Sequence, residues 1–374
     1  MRRYLPFLIV LLAFSSVACP PAPPPEPPKK NGGQTEVAPP PTLESLAHLK
    51  GRIEGALEQI ETRDLLTTHA FWTVFHGILG SGLEKTKLTD PLTRKKINAI
   101  DYICDGGKIR GLQFLPSEDG LDVLTAQGPG DQGVTQGHQD QFIAEMAQWG
   151  MPKNRKFKVG GRDYTFEDFT RFSKMRASVT KGQELSWAII IIAQYYGTEE
   201  KWKNTAGEDL TFRDVVRYEV DASIDQAACG GTHRLFGLTW AYHLHLKKNG
   251  QTEGVWRDVA DKIEKYKALA KEQQGPDGAC STDYFKGKGR NPDKQLRIST
   301  SGHTVEWLSL AMTDDELKSD WMQTAVNALA MQIIDMKDSE VEGGALYHAA
   351  HGLHLYHSRV YGTPPAYLPL LPKK

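Results

Sequence analysis

The stretch "GTHRLFGLTWAYHLHL", Gly231 to Leu246, decides how this chain is read. It opens with a glycine, a hydroxyl residue and an imidazole, then runs apolar on nearly every side with few charges. A helix that is apolar around most of its circumference has to be buried from several directions at once. Five other stretches share the form: "TTHAFWTVFHGIL" from Thr67, "QGHQDQFIAEMAQW" from Gln136, "GQELSWAIIIIAQYY" from Gly182, "SGHTVEWLSLAM" from Ser301 and "LYHAAHGLHLYH" from Leu346. Each begins with small or polar residues and one ionisable side chain, in order His69, His138, Glu184, His233, His303 and His348. In five of them an aromatic follows three or four positions on (Trp72, Phe142, Trp187, Phe236 and Trp307), on the same helical face one turn later.

Between these apolar segments lie charged ones with apolar residues at three- and four-residue spacing. "LESLAHLKGRIEGALEQIETR", "FEDFTRFSKMRASV", "TFRDVVRYEVDASI", "VWRDVADKIEKYKALAKEQQ" and "DDELKSDWMQTAVNALAMQIIDM" are examples, and "PLTRKKINAIDYI" is the shortest. Each has one stripe to bury and one wet face. The alternation has a period of under about fifty residues, lengthened where a Gly-rich insertion intervenes. Six hairpins, with apolar helices inside and amphipathic helices outside, describe an all-α (α/α)6 toroid with two loop insertions over residues 43–360. Inner helices in that arrangement aim their first turns at a shared end. His69, His138, Glu184, His233, His303 and His348, with Trp187 and Trp307, are therefore expected to line one polar centre. A single such histidine is more often a hydrogen-bonded core residue, and Thr232 with the glycines before it explains the start of a helix without any chemistry. Histidines in register on five of six inner helices point instead to a His-rich cavity. The insertion from Asp105 to Gly133, with alternating apolar residues around "EDG", reads as a hairpin at the mouth of the ring.

The N-terminus "MRRYLPFLIVLLAFSSVAC" has two arginines, an apolar run and small residues before Cys19, the pattern of an export signal over residues 1–18. Ser16, Val17 and Ala18 directly before Cys19 resemble the lipobox of bacterial lipoproteins, with Ser16 where that motif carries Leu. The resemblance implies lipidation of Cys19, membrane attachment through that lipid and a place on the cell envelope; the alternative is an ordinary secretory signal. Residues 19–42, rich in proline, read as an extended linker, and 361–374 as a proline-rich strap. The formal net charge of −1 leaves a nucleic-acid role without an electrostatic footprint.

Apart from Cys19 three cysteines remain, Cys104, Cys229 and Cys280. Export implies an oxidising compartment, and a Cys229–Cys280 disulfide is expected between the loops ahead of two successive inner helices. If it does not close, Cys229 and His233, four residues apart, form a possible nucleophile pair.

The helical period, the loop "QQGPDGACSTDYF" (Gln273 to Phe285) and "YHAAHGLHLY" (Tyr347 to Tyr356) resemble the toroid superfamily of terpenoid cyclases and protein prenyltransferase β-subunits. The resemblance covers roughly Leu43 to Arg359. It implies a zinc set of Asp277, Cys280 and His348, although "DGAC" carries one residue more than the family's "DGC". The acidic "DxDD" motif of the cyclases is absent.

Two functions follow from these residues. The first is a binding or scaffolding module on the envelope that takes a small molecule or an extended polymer in its polar centre. The second is an enzyme acting on glycans, with Glu184, His233 and His303 as acid–base residues, or a zinc-dependent transferase.

Overall fold

The computed structural model describes residues 47–131 and 133–362. The export signal, the linker, the lipidation site at Cys19 and the strap from residue 363 onward lie outside the described residues. Thirteen α-helices and four two-stranded antiparallel hairpins make up the described chain, so the protein is mostly α-helical. No helix among the described residues is long and apolar enough to cross a membrane.

Helix α1 (Leu49–Glu61) buries one stripe and leaves its charges wet. The apolar α2 (Phe71–Ser81) follows. Hairpin β1–β2 (Lys87–Thr89, Lys96–Asn98) leads into the short α3 (Ala99–Cys104), and β3–β4 (Phe114–Ser117, Gly120–Val123) leads to α4 (Gln141–Gln148). Hairpin β5–β6 (Lys156–Val159, Arg162–Thr165) runs into α5 (Phe166–Arg176), then comes α6 (Ala188–Tyr195). Hairpin β7–β8 (Lys201–Lys203, Asp209–Thr211) runs into α7 (Phe212–Asp221), followed by α8 (Thr232–Lys247), α9 (Val255–Gln273) and α10 (Lys294–Ala311). The chain closes with α11 (Asp314–Leu317), α12 (Asp320–Ile334) and α13 (Gly343–Tyr361).

Local chemistry sets these boundaries. Asp168 accepts the Thr165 backbone N–H at 2.7 Å, and Asp214 accepts that of Thr211 at 2.7 Å, so α5 and α7 begin with the same reciprocal cap. The Asn98 side chain caps α3 by accepting from the Asp101 N–H at 3.0 Å. The stretch "PLTRKKINAIDYI" is therefore a turn and a strand followed by a short helix, a correction to its reading as one amphipathic helix. The insertion hairpin is present, with Phe114 paired to Val123 and Ser117 to Gly120 across "EDG".

The apolar helices pack in chain order. Helix α2 lies against α4, α4 against α6, α6 against α8, α8 against α10, α10 against α13, and α13 returns to α2. The amphipathic helices cover them: α3 on α2, α5 on α6, α7 on α6 and α8, α9 on α8 and α10, α12 on α10, and α1 on α12 and α13. Glycines bring α10 and α13 together. A Cβ on Gly302 would lie 2.9 Å from the Ala349 Cβ, and one on Gly352 would lie 2.8 Å from the Glu306 backbone nitrogen.

Candidate metal centre

The ionisable residues of the apolar segments do not all open their helices. His233 stands in the first turn of α8, but His303 lies in the third turn of α10 and His348 in the second turn of α13. His138 and Glu184 precede α4 and α6. Asp140 is left-handed at φ 66°, which holds helix α4 back to Gln141.

The side chains nevertheless converge. Ring centroids are 5.1 Å apart for His138 and His233, 5.2 Å for His233 and His303, 5.5 Å for His233 and His348, and 4.1 Å for His303 and His348. Trp187 lies 4.7 Å from His233. Three groups of potential metal-ligating atoms, each within 4.8 Å of one another, occur among the described residues: His233, His303 and His348; His138, Cys229 and His233; His76, Glu145 and His348.

Hydrogen bonds fix the ring orientations. His138 donates from Nδ1 to Glu184 at 2.9 Å, His348 from Nδ1 to Glu306 at 2.8 Å, and His303 from Nδ1 to the Ser299 carbonyl at 2.7 Å. Each ring then keeps its proton on Nδ1 and its lone pair on Nε2. Carboxylates and carbonyls behind imidazoles are how metal-binding histidines are oriented. The Glu306 carboxylate also takes the Nδ1–H of His351 at 2.5 Å. His233 differs: it is 4% exposed, and neither ring nitrogen has a hydrogen-bond partner. Buried polar groups are nearly always satisfied, so an orphaned imidazole here marks a place for something further.

Burial disfavours the charged form of two of the rings, His233 and His303. Burial pushes His233 well below its ordinary value, and the neighbouring His138, His303 and His348 add to that. Burial likewise takes His303 down to about 3, with His348 adding. Burial pushes Glu306 up, but His348 and His351 outweigh it and hold the carboxyl below the usual range. Burial also pushes Glu184 up, and His138 outweighs it. A cation binds imidazole in its neutral form, the form that burial favours at His233 and His303.

Glu184 also reaches the surface. A cleft of about 90 Å3 there is lined by Gln139, Asp140, Arg176, Gln183 and Glu184 among others, room for a few waters. Arg176 forms one wall, pairing with Asp140 at 2.5 Å and with Asp122 of β4 at 3.0 Å, so the insertion hairpin is tied to one residue of this cleft. Behind it the fully buried Glu219 accepts from the Leu185 N–H, the Ser186 hydroxyl and Arg234 Nε, each at 2.9 Å. One carboxylate of α7 thus ties the segment carrying Glu184 to the helix carrying His233.

Several expectations are corrected. His69 is not in the centre; its Nδ1 accepts the Leu66 N–H at 3.2 Å, and His76, two turns on, faces the centre in its place. Trp307 is buried against Phe285 at 5.7 Å and donates its indole N–H to Thr239, away from the histidines. The Cys229–Cys280 disulfide is not formed. Cys280 is buried, its thiol pushed up to about 12 by burial, while Cys229 is turned to His138 and His233. Asp277, Cys280 and His348 do not meet either, because Asp277 is paired with Arg297 and His348 with Glu306. His76 was legible only as a second histidine seven residues after the first, and Gln141, which donates to its Nε2 at 3.1 Å, carries no signal of its own.

No protein-family model, no curated protein and no solved structure matches the chain.

Proposed function

We propose that this chain is an exported, lipid-anchored envelope protein whose (α/α)6 toroid binds a transition-metal ion of the zinc class at its centre, on His233, His303 and His348. The export and anchoring part rests on the N-terminal residues quoted above. The toroid is supported by the order of helix packing, in which the sixth apolar helix returns to the first and the amphipathic helices cover them.

The observation that carries the metal is His233, buried with both nitrogens unpartnered, beside two imidazoles whose Nδ1–H groups are already committed. Three imidazoles suit zinc and leave a fourth coordination position open. Ligand atoms around tetrahedral zinc lie about 3.4 Å apart, so a group already within 4.8 Å closes on an ion with small side-chain movements. Acid–base chemistry on a glycan has less support, since a carboxyl held below its ordinary value by His138 orients an imidazole and does not deliver a proton.

The test is elemental analysis of the mature chain, with zinc titrated into chelator-treated protein against a competing chelator. Retained metal, and an affinity reduced at least about tenfold by His303→Ala or His348→Ala, is the expected outcome. A chain that keeps no metal and whose melting temperature zinc leaves unchanged removes the reading.

A further inference from the structure

The His233–His303–His348 group leaves out a thiol that the fold delivers to the same imidazole. Cys229 sits in a short 3-10 turn, Ala228–Gly231, at φ 48° and ψ 43°, a left-handed conformation that L side chains rarely adopt. Gly230 beside it is also left-handed, and the ring of Tyr284 fills the space its side chain would need; a Cβ there would lie 2.1 Å from that ring. Tyr284 itself is at φ 54°. Two strained residues therefore meet at this turn, and strain of this kind persists where the surroundings enforce it, commonly at functional sites. Its consequence is that the Cys229 sulfur lies within 4.8 Å of ring nitrogens of His138 and His233.

We infer that Cys229, His138 and His233 form a second metal position, which takes a thiophilic divalent cation of the zinc class, and that the loaded centre holds two ions sharing His233. The inference rests on the metal reading above, because His233 belongs to both groups. Three observations carry it. His138 is oriented by Glu184 as His348 is by Glu306, with a carboxylate behind each imidazole. One thiolate with two imidazoles is a donor set that zinc-class ions accept. Finally, both nitrogens of His233 are buried without a partner, and one ion satisfies only one of them. An ion on each side satisfies both. Filling the second position releases two protons to solvent, the thiol proton of Cys229 and the remaining N–H proton of His233. A thiolate and an imidazolate shared by the two ions are left, and no change of oxidation state is involved.

Cobalt(II) titrated into the chelator-stripped mature chain reads both positions. The expected result is two equivalents per chain, the second bringing a thiolate-to-cobalt charge-transfer band in the near ultraviolet. Cys229→Ser should keep one equivalent and lose the band, and Cys280→Ser should keep both. Glu184→Gln should weaken the sulfur-bearing equivalent about tenfold or more while leaving the other. The wild-type stoichiometry and band decide the matter even if a variant fails to fold. A single equivalent, with or without the band, overturns the shared centre, as does a band that survives in Cys229→Ser. Binding of one sulfur-free equivalent leaves the metal reading standing, whereas no cobalt at all removes both.

Discussion

The two sides of the histidine centre are held in place by different means. On one side His303 and His348 stand inside long helices, α10 and α13, which approach closely through Gly302 and Gly352 and share Glu306 as a bridge. On the other side His138, Glu184 and Cys229 stand in loops and a turn, held by ion pairs and by left-handed backbone at Asp140 and Cys229. Helix-borne ligands inherit their spacing from packing. Loop-borne ligands need every polar tie to be present, and Glu184 behind His138 borders the cleft. By this contrast a ligand position would be preformed on the helical side and adjustable on the loop side.

The loop side should break most severely at Glu219. Replacing it with alanine takes the counter-charge from the buried Arg234 guanidinium, which keeps only its bond to the Ser223 carbonyl, and leaves the Leu185 N–H and Ser186 hydroxyl without their acceptor. Removing one partner of a buried pair costs about 3–5 kcal/mol, to be read as a shift in the denaturant midpoint. A loss below about 1 kcal/mol would mean that Arg234 finds another acceptor, and the loop side would then be less dependent on single contacts than stated.

The helical side should break by overpacking. Gly352→Ala puts a methyl 2.8 Å from the Glu306 backbone nitrogen, which cannot swing away as a flexible side chain would. The expected cost is about 1–3 kcal/mol. A parted α10–α13 pair should also weaken zinc binding, because Glu306 and His348 face each other across that contact. Zinc affinity unchanged in a destabilised Gly352→Ala chain would uncouple the site from the packing.

The same contrast explains what the sequence discloses. Helical class, the alternation of apolar with amphipathic segments and the Asp105–Gly133 hairpin follow from periodicity and turn chemistry, because burial acts on whole faces. His138, Glu184, His233, His303, His348 and Trp187 were readable as a set because each sits at a similar place in a repeated segment. His69 misleads because Leu66 and Ala70 make isolated bridges to Thr89 and Arg110, which turn its segment away before α2 begins. The three hairpins before α3, α5 and α7 were missed, although "YTFED" and "LTFRD" repeat one cap. The disulfide expectation fails for a different reason. Cysteine counting knows the compartment but not the left-handed turn that aims Cys229 inward, and a single φ value leaves no pattern in composition.

Acid gives the smallest and most diagnostic difference, because the helical framework also carries histidines away from the proposed ions. His243 on α8 is held near 4, chiefly by burial and then by Arg359; His354 on α13 is also held near 4, by burial and then by His351, Lys85 and His357. Both start from an ordinary value of 6.5. Between pH 6.5 and 4 the unfolded chain binds a proton at each position that the folded chain refuses, so stability rises with pH there and falls on acidification. The limit is about 1.4 kcal/mol per pH unit for each group, and rings that keep some contact with water should give less than about 1 kcal/mol. His243→Gln and His354→Gln should therefore match the parent above pH 7 and gain on it steadily as the pH drops to 4. Denaturation curves at several pH values measure the two slopes. Parallel slopes for parent and variants would show that these rings are protonated in the folded chain as readily as in the unfolded one, and acid sensitivity would then belong to the centre alone.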